Sequence, residues 1–328
     1  EMVSCDWSSD VCSSDLPALN LQGVLAFKRG DRGNAERRFR EAAKADPSWG
    51  EPVTNLGVLL WAAGEKEKSL DLLEKGFVLS PRTADLAERY HAAAVSSGFH
   101  ARAEKAFRDA AERHPQNRTI AFLLIDLLIS QEKHKEAMVR IEDAMAAFGV
   151  DDSFIDAALA VRGKIGPMAI EGGKGRPTLS LCMIVRNEQA NLVRCLMSVR
   201  DVVDEMIVVD TGSTDRTKDL AAIFGAKVFD HPWRDDFGEA RNASLAEASG
   251  DWILVIDADE TLSSRDHAAL RILISKSPKK IGGYDLDTRN YVTEANTAGW
   301  TANDGSYPGD EAGTGWYANR KVRLFRND

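Results

Sequence analysis

The run DWILVIDADET, residues 251 to 261, starts as protein core and ends in acid. Trp252 to Ile256 is the continuous apolar stretch expected of a strand buried on both faces, yet Asp257, Asp259 and Glu260 follow it at once. Carboxylates crowded in this way repel one another and call for a cation to offset them. Oxygen donors without His or Cys favour Mg²⁺ or Mn²⁺, which keeps part of its shell for waters and a phosphate. The Asp257-Ala258-Asp259 step projects both aspartates to one side of a chain leaving a sheet, so one can reach a metal while the other reaches a sugar hydroxyl.

The surrounding sequence is expected to build the platform for these residues. From Thr178 onward, LSLCMIV (179 to 185), EMIVVD, AKVFD and WILVID read as strands, and QANLVRCLMSV, STDRTKDLAAIFG and FGEARNASLAEAS as the helices between them. Such alternation implies a parallel sheet covered on both faces. Ligands of such sheets bind in the crevice beyond the carboxyl ends of the strands. At those ends stand Arg186, Asn187 and Glu188, then Asp210, Thr211, Gly212 and Ser213, then Asp230, then Asp257, Asp259 and Glu260. Polar groups therefore converge on one edge.

In that order, SLCMIVRNE, IVVDTGSTDRT and ARNASLAEASGDWILVIDADE resemble the family-2 glycosyltransferases of the GT-A fold, with Asp257-Ala258-Asp259 in the place of the DxD motif. The resemblance covers about residues 178 to 328. It implies a nucleotide-sugar donor and a divalent metal, Mg²⁺ or Mn²⁺. Carried over by position, it implies that Asn187 and Glu188 lie near the nucleotide base, that Asp210 accepts from the base and that Arg241 lies at the base or diphosphate. Asp257 is given to the ribose and Asp259 to the metal. Transfer with inversion is then expected, with a carboxylate as general base. In the family this base usually lies in a later part of the domain, so it is expected beyond Asp328; Asp304 and Asp310, in NDGSYPGDEAG, are the local candidates, and a mobile acceptor loop is the other reading of that stretch. Asp235 and Asp236 read as solvated, and Asp215 as a helix cap.

The first half repeats itself. Prolines 47, 81 and 115 are 34 residues apart, and the register holds at Ala42, Gly76 and Ala110, at Phe39, Leu73 and Phe107, at Ala35, Ser69 and Ala103, and at Gly30, Gly64 and Gly98. A fourth unit continues with Ala137, Ile141 and Ala144. The physical sense is one pair of antiparallel helices per repeat: small residues where helices approach, a large apolar plug between neighbours, a glycine in the turn and a proline ending the second helix. These positions resemble the tetratricopeptide family; Gln22 and His91 depart from it, standing where Leu and Gly are usual. The resemblance implies a protein or peptide partner on the concave surface. DDSFIDAALAVRG reads as a capping helix.

The expected architecture is thus α plus α/β: helical repeats with their cap over 17–163, a Gly/Pro/Lys-rich linker over 164–177 and a GT-A domain over 178–328. The GGKG of the linker neither follows a strand nor opens a helix, so it is no phosphate loop. Residues 1–16 are low in complexity, with SSD twice, and resemble a translated sequencing adapter; an artefact or a disordered tail is expected there. A net charge of −9 and a pI near 5.3 exclude a general nucleic-acid or anionic-membrane binder. No apolar run approaches the ~18 to 20 residues of a membrane span, and the six histidines lack zinc-site spacing. Cys182 and Cys195, in an expected strand and an expected helix, suit a reducing, cytoplasmic setting without disulfides. Two rivals have sequence consequences. A scaffold that binds nucleotide-sugar without turnover would not need the intact Asp257/Asp259 pair, and a nucleotidyltransferase would carry a Gly-rich, basic triphosphate loop where VRNEQAN stands.

Overall fold

A computed structural model describes residues 16–150, 152–170, 175–296 and 298–328 of the chain. The adapter-like residues 1–15 and positions 171–174 of the expected linker lie outside them. The chain divides into two compact units, Glu1–Arg140 and Ile141–Asp328. The division falls within a helix, ahead of the expected linker.

Helices of the first unit come in pairs: α1 (Leu16–Lys28) with α2 (Arg32–Ala45), α3 (Gly50–Ala62) with α4 (Lys66–Leu79), α5 (Ala84–Ser96) with α6 (His100–Arg113), and α7 (Arg118–Ser130) with α8 (His134–Phe148), which runs on into the second unit. The turns within the first three pairs use Gly30, Gly64 and Gly98 at φ of +81°, +86° and +76°, a region that L side chains rarely adopt. Two residues past the ends of α2, α4 and α6 stand Pro47, Pro81 and Pro115, which have no N–H to continue a helix. Small residues set the helix crossing: a Cβ on Gly76 would fall 2.0 Å from Thr54 Oγ1 of α3.

The plugs expected at Phe39, Leu73 and Phe107 are all buried. Phe77, Tyr90 and Phe107, from α4, α5 and α6, form one stack, with the Phe77 and Phe107 centroids 4.6 Å apart. Phe107→Ala should therefore cost about 3–5 kcal/mol through lost contacts and a residual cavity. A urea melt of the variant checks this, and a loss under 1 kcal/mol would mean that the stack does not tie the repeats together.

Glu104, on α6 and nearly buried, accepts from Arg108 Nε at 2.8 Å, Gln131 Nε2 at 2.8 Å and Lys133 Nζ at 2.6 Å. Burial pulls its carboxyl up, but these donors outweigh it and bring the pKa down to about 2 from the usual 4.5. A folded pKa below the unfolded one means stability that is present above pH 4.5 and lost as pH falls toward 2. Glu104→Gln should flatten the acid limb of a stability-against-pH curve in that window.

In the second unit the sheet order is β3-β2-β1-β4-β7-β5, with β6 beside β7. Strands β1 (Leu179–Val185), β2 (Glu205–Asp210), β3 (Lys227–Asp230) and β4 (Trp252–Val255) run parallel, while β5 (Gly283–Val292) and β6 (Thr301–Ala302) pair antiparallel with β7 (Gly315–Arg326), itself antiparallel to β4. The chain moves outward from β1 through β2 to β3 and then returns to the other side of β1, so the switch point lies between β1 and β4. Helices α10 (Leu192–Val199), α11 (Thr217–Ile223) and α12 (Phe237–Ala246) connect the parallel strands, and α13 (His267–Lys276) leads to β5. The helix α9 (Asp152–Ile165), expected to cap the repeats, falls in this unit. Its Arg162 donates to Ile223 O of α11 at 2.6 Å and to Glu142 at 2.7 Å. Buried Glu142 also accepts from Arg200 at 2.9 Å, so one carboxylate joins α8, α9 and the end of α10.

Two elements are shorter than the sequence pattern suggests, for local reasons. Helix α11 begins only at Thr217: Arg216 stands at its N-cap, and Asp215, one position ahead of that, accepts the Thr217 N–H at 3.0 Å. Strand β4 stops at Val255, because the Asp257 N–H is taken by Glu260 Oε2 at 3.1 Å and the Glu260 N–H by Asp257 O at 2.9 Å. Among the described residues no helix is long and apolar enough to cross a membrane.

Candidate active site

Strand β2 is buried along its whole length and delivers Asp210 to the carboxyl edge at 1% exposure. Asp210 Oδ1 accepts from the Gly212 N–H at 3.0 Å and the Ser213 N–H at 2.9 Å. Its other oxygen, Oδ2, is buried with no hydrogen-bond partner among the described residues. Half of the carboxylate shapes the turn and half is left over, and a buried acceptor without a donor is costly unless a ligand supplies one.

Asn187 and Glu188 follow β1 and bond to the segment after β2. Asn187 takes a φ of +56°, tolerable for Asn, and its Oδ1 accepts from the Thr214 N–H at 2.8 Å while its own N–H donates to Ser213 Oγ at 2.9 Å. The Glu188 N–H donates to Thr217 Oγ1 at 2.8 Å, and its carboxylate accepts from Asn191 Nδ2 at 3.0 Å. These two residues stitch the loop after β1 to the loop after β2, and so form the rim around Asp210.

Across the crevice, Asp236 caps α12 by accepting from the Gly238 N–H at 2.7 Å and the Glu239 N–H at 3.1 Å. The helix so started carries Arg241, whose Nη2 donates to Asp257 Oδ1 at 3.1 Å and whose Nη1 is buried without a partner among the described residues. Asp257 receives a second guanidinium that the sequence reading missed: Arg323 Nη2, from β7, donates to Asp257 Oδ2 at 3.1 Å and to Glu260 Oε1 at 2.6 Å. Burial pulls the Asp257 carboxyl up, yet Arg323 and then Arg241 outweigh it and hold the pKa below the usual range. Arg323 lies 66 positions along the chain from Asp257, outside the runs that carry the family resemblance, so spacing gave no signal for it.

Asp259 differs from its neighbours. It is exposed, and among the described residues no hydrogen bond or ion pair engages its carboxylate, although Arg194 donates to its backbone oxygen at 3.4 Å. No group of three or more His, Cys, Asp or Glu able to hold a metal occurs among the described residues. An exposed lone carboxylate at a strand end suits a hard divalent cation that draws its other ligands from water and a diphosphate.

Of the two local candidates for general base, Asp304 folds back on the Ser306 N–H at 2.9 Å, and the Ser306 hydroxyl and amide hold its carboxyl below the usual range. Asp310 accepts from Ser263 Oγ at 2.6 Å, which ties it to the segment that leaves Asp259. The loop carrying both is anchored by Tyr307, stacked under Arg289 at 4.3 Å. Cys182 and Cys195 are buried and free, and burial pushes both thiols up to about 12.

Residues 180–300 match the family model described as glycosyl transferase family 2, and residues 20–78 and 93–151 match the tetratricopeptide repeat model. The chain therefore carries a tetratricopeptide repeat region followed by a family-2 glycosyltransferase domain. Similar proteins include a TPR repeat-containing protein of Synechococcus elongatus, 58% identical over 90 residues, or 27% of this chain and 22% of that protein. A protein of Rickettsia felis described as an uncharacterized glycosyltransferase is 47% identical over 87 residues, covering 26% of this chain and 30% of its own length. The SPbeta prophage-derived glycosyltransferase SunS of Bacillus subtilis is 37% identical over 92 residues, covering 27% and 22%. The chain spans less than a third of the length of each.

Asp210 separates fold from recognition. Asp210→Ala should lower the stability of the second unit by ~1–3 kcal/mol, since two turn N–H groups lose their acceptor, whereas Asp210→Asn keeps one oxygen for the turn and should cost less. Guanidinium denaturation of the two variants measures the difference; equal losses would remove the turn role.

Proposed function

We propose that the chain transfers a sugar from a nucleotide-sugar donor to an acceptor, with a divalent metal and with inversion at the anomeric carbon. The observation that carries this reading is the buried Oδ2 of Asp210, partnerless among the described residues, on the same carboxyl edge as Asp257 and Asp259 and within the stretch matched by the family-2 model. In this reading Asp210 accepts from the base, with Asn187 and Glu188 shaping its rim. Arg241 lies beside the diphosphate, Asp257 accepts from a ribose hydroxyl and Asp259 holds Mg²⁺ or Mn²⁺. The metal, when bound, offsets the charge that grows on the departing nucleoside diphosphate. The acceptor's nucleophile attacks the anomeric carbon from the opposite face as the bond to the diphosphate breaks, and gives up its proton to a carboxylate; the bond of Asp310 to Ser263, on the segment that leaves Asp259, favours Asp310 over Asp304 for that role.

The repeats would recruit a protein or peptide acceptor in the cytoplasm. Supporting this, amide and guanidinium groups of Asn20, Asn55 and Arg89 run in line over the first helices of three successive repeats: Asn55 Nδ2 donates to Asn20 Oδ1 at 2.9 Å and Arg89 Nη1 to Asn55 Oδ1 at 3.4 Å. Such groups can pair with a peptide backbone.

A thermal-shift screen of nucleoside diphosphates and nucleotide-sugars, with and without Mn²⁺, tests the donor site. A ligand at a hundred times its dissociation constant adds ~2.7 kcal/mol of stability. Stabilisation by one nucleotide that needs the metal and is lost in Asp259→Ala is the expected result. Equal shifts in the wild type and the variant would rule out Asp259 as the metal ligand, and no shift with any nucleotide would favour a repeat scaffold whose transferase domain is inactive.

A further inference from the structure

We infer that Arg323 is a positioning residue of the donor site: from the neighbouring antiparallel strand it bridges Asp257 and Glu260, holds their turn shut, and leaves Asp259 as the carboxylate presented to the cation. This rests on the reading of the site as one for a nucleoside diphosphate and its metal.

The sheet register brings the guanidinium there. Leu254 pairs with Leu324 at the last rung between β4 and β7, so one step further along sets Arg323 beside Val255. Residues two apart on a strand share a face, and two residues after Val255 stands Asp257. Val255 packs with Cys182, Ile207 and Ile253 on the face where Leu245 of α12 also packs, so Arg323 and Arg241 of α12 meet Asp257 from the same side of the sheet. One nitrogen, Nη2, serves both Asp257 Oδ2 and Glu260 Oε1.

Arg323 is a poor choice if stability were its purpose. It is 5% exposed and its Nε is buried with no partner among the described residues. Buried ion pairs rarely add net stability over an apolar side chain of similar volume, and an unpaired N–H adds to the cost. Its effect on charge is more telling. With Arg323 present, Asp257 and Glu260 are both spoken for, and only Asp259 of the three is exposed without an ion pair among the described residues. The free protein then offers a cation one carboxylate, and tight metal binding awaits the diphosphate. Remove the guanidinium, and Asp257 and Glu260 lose the positive charge they share, while Arg241 stays on Asp257 and Arg194 beside Asp259. The field at Asp259 then becomes more negative and draws a divalent cation more strongly, and Asp257 loses a contact that orients it.

Two affinities should therefore move in opposite directions. In Arg323→Met, the Kd of the nucleoside diphosphate, titrated calorimetrically with Mn²⁺ present, should weaken at least tenfold. The affinity of the nucleotide-free protein for Mn²⁺, read by electron paramagnetic resonance of the free ion, should rise severalfold. Arg323→Lys keeps the charge but lacks the planar fork, and should lose part of the nucleotide affinity while its free-protein melting temperature stays close to wild type. It keeps the test open should the Met variant misfold. A structural role alone would not tighten Mn²⁺. If the wild type binds uridine, guanosine, adenosine and cytidine diphosphates no better than buffer, the glycosyl-transfer reading fails and this inference with it. If the wild type binds one of them and the folded variants match it in both affinities, the inference about Arg323 alone is overturned.

Discussion

Negative charge at the end of β4 is the constraint around which the second unit is organised. Two like charges ~4 Å apart at an effective dielectric of about 20 repel by ~4 kcal/mol, and Asp257, Asp259 and Glu260 stand within four consecutive positions. The fold meets this with guanidinium groups that approach from two elements, Arg241 from α12 and Arg323 from β7. Strand β4 has to end at Val255 so that its chain can turn and face these groups. Strand β7 runs antiparallel beside it, so Arg323, the residue that precedes the shared ladder on β7, reaches the turn.

The other side of the crevice solves a different problem, that of holding an acidic side chain in a nearly dry place. Asp210 is kept there by two backbone donors on one oxygen, and its second oxygen stays uncommitted. The loops after β1 and β2 are bound to each other through Asn187 and Glu188, so the rim is fixed before any ligand arrives. Preorganisation of this kind lowers the ordering cost of binding. Asn187 in a left-handed conformation is the local strain accepted for that rigidity.

The first unit follows a simpler rule. Each helix pair leaves an apolar face that only its neighbour can cover, and the stacked Phe77, Tyr90 and Phe107 show how neighbours meet that need. Charged residues add cross-links where the apolar contact ends, as Glu104 does between α6 and the turn that follows α7.

Sequence alone determined what depends on short-range rules. The 34-residue period specified paired helices because turn glycines, terminal prolines and small crossing residues act within one repeat. The apolar runs of β1 and β2 were legible to the residue because strands buried on both faces need unbroken hydrophobicity. Asp210, Asp257 and Asp259 stood out because acids are costly after such strands. Tertiary structure decided the rest. No local pattern could show that Asp210 commits one oxygen to the turn and leaves the other buried without a partner among the described residues, or that Asp257 is ionically paired while Asp259 is not among those residues. Arg323 was invisible for the same reason: it lies 66 positions from Asp257, and only the antiparallel pairing of β7 with β4 brings the two charges together.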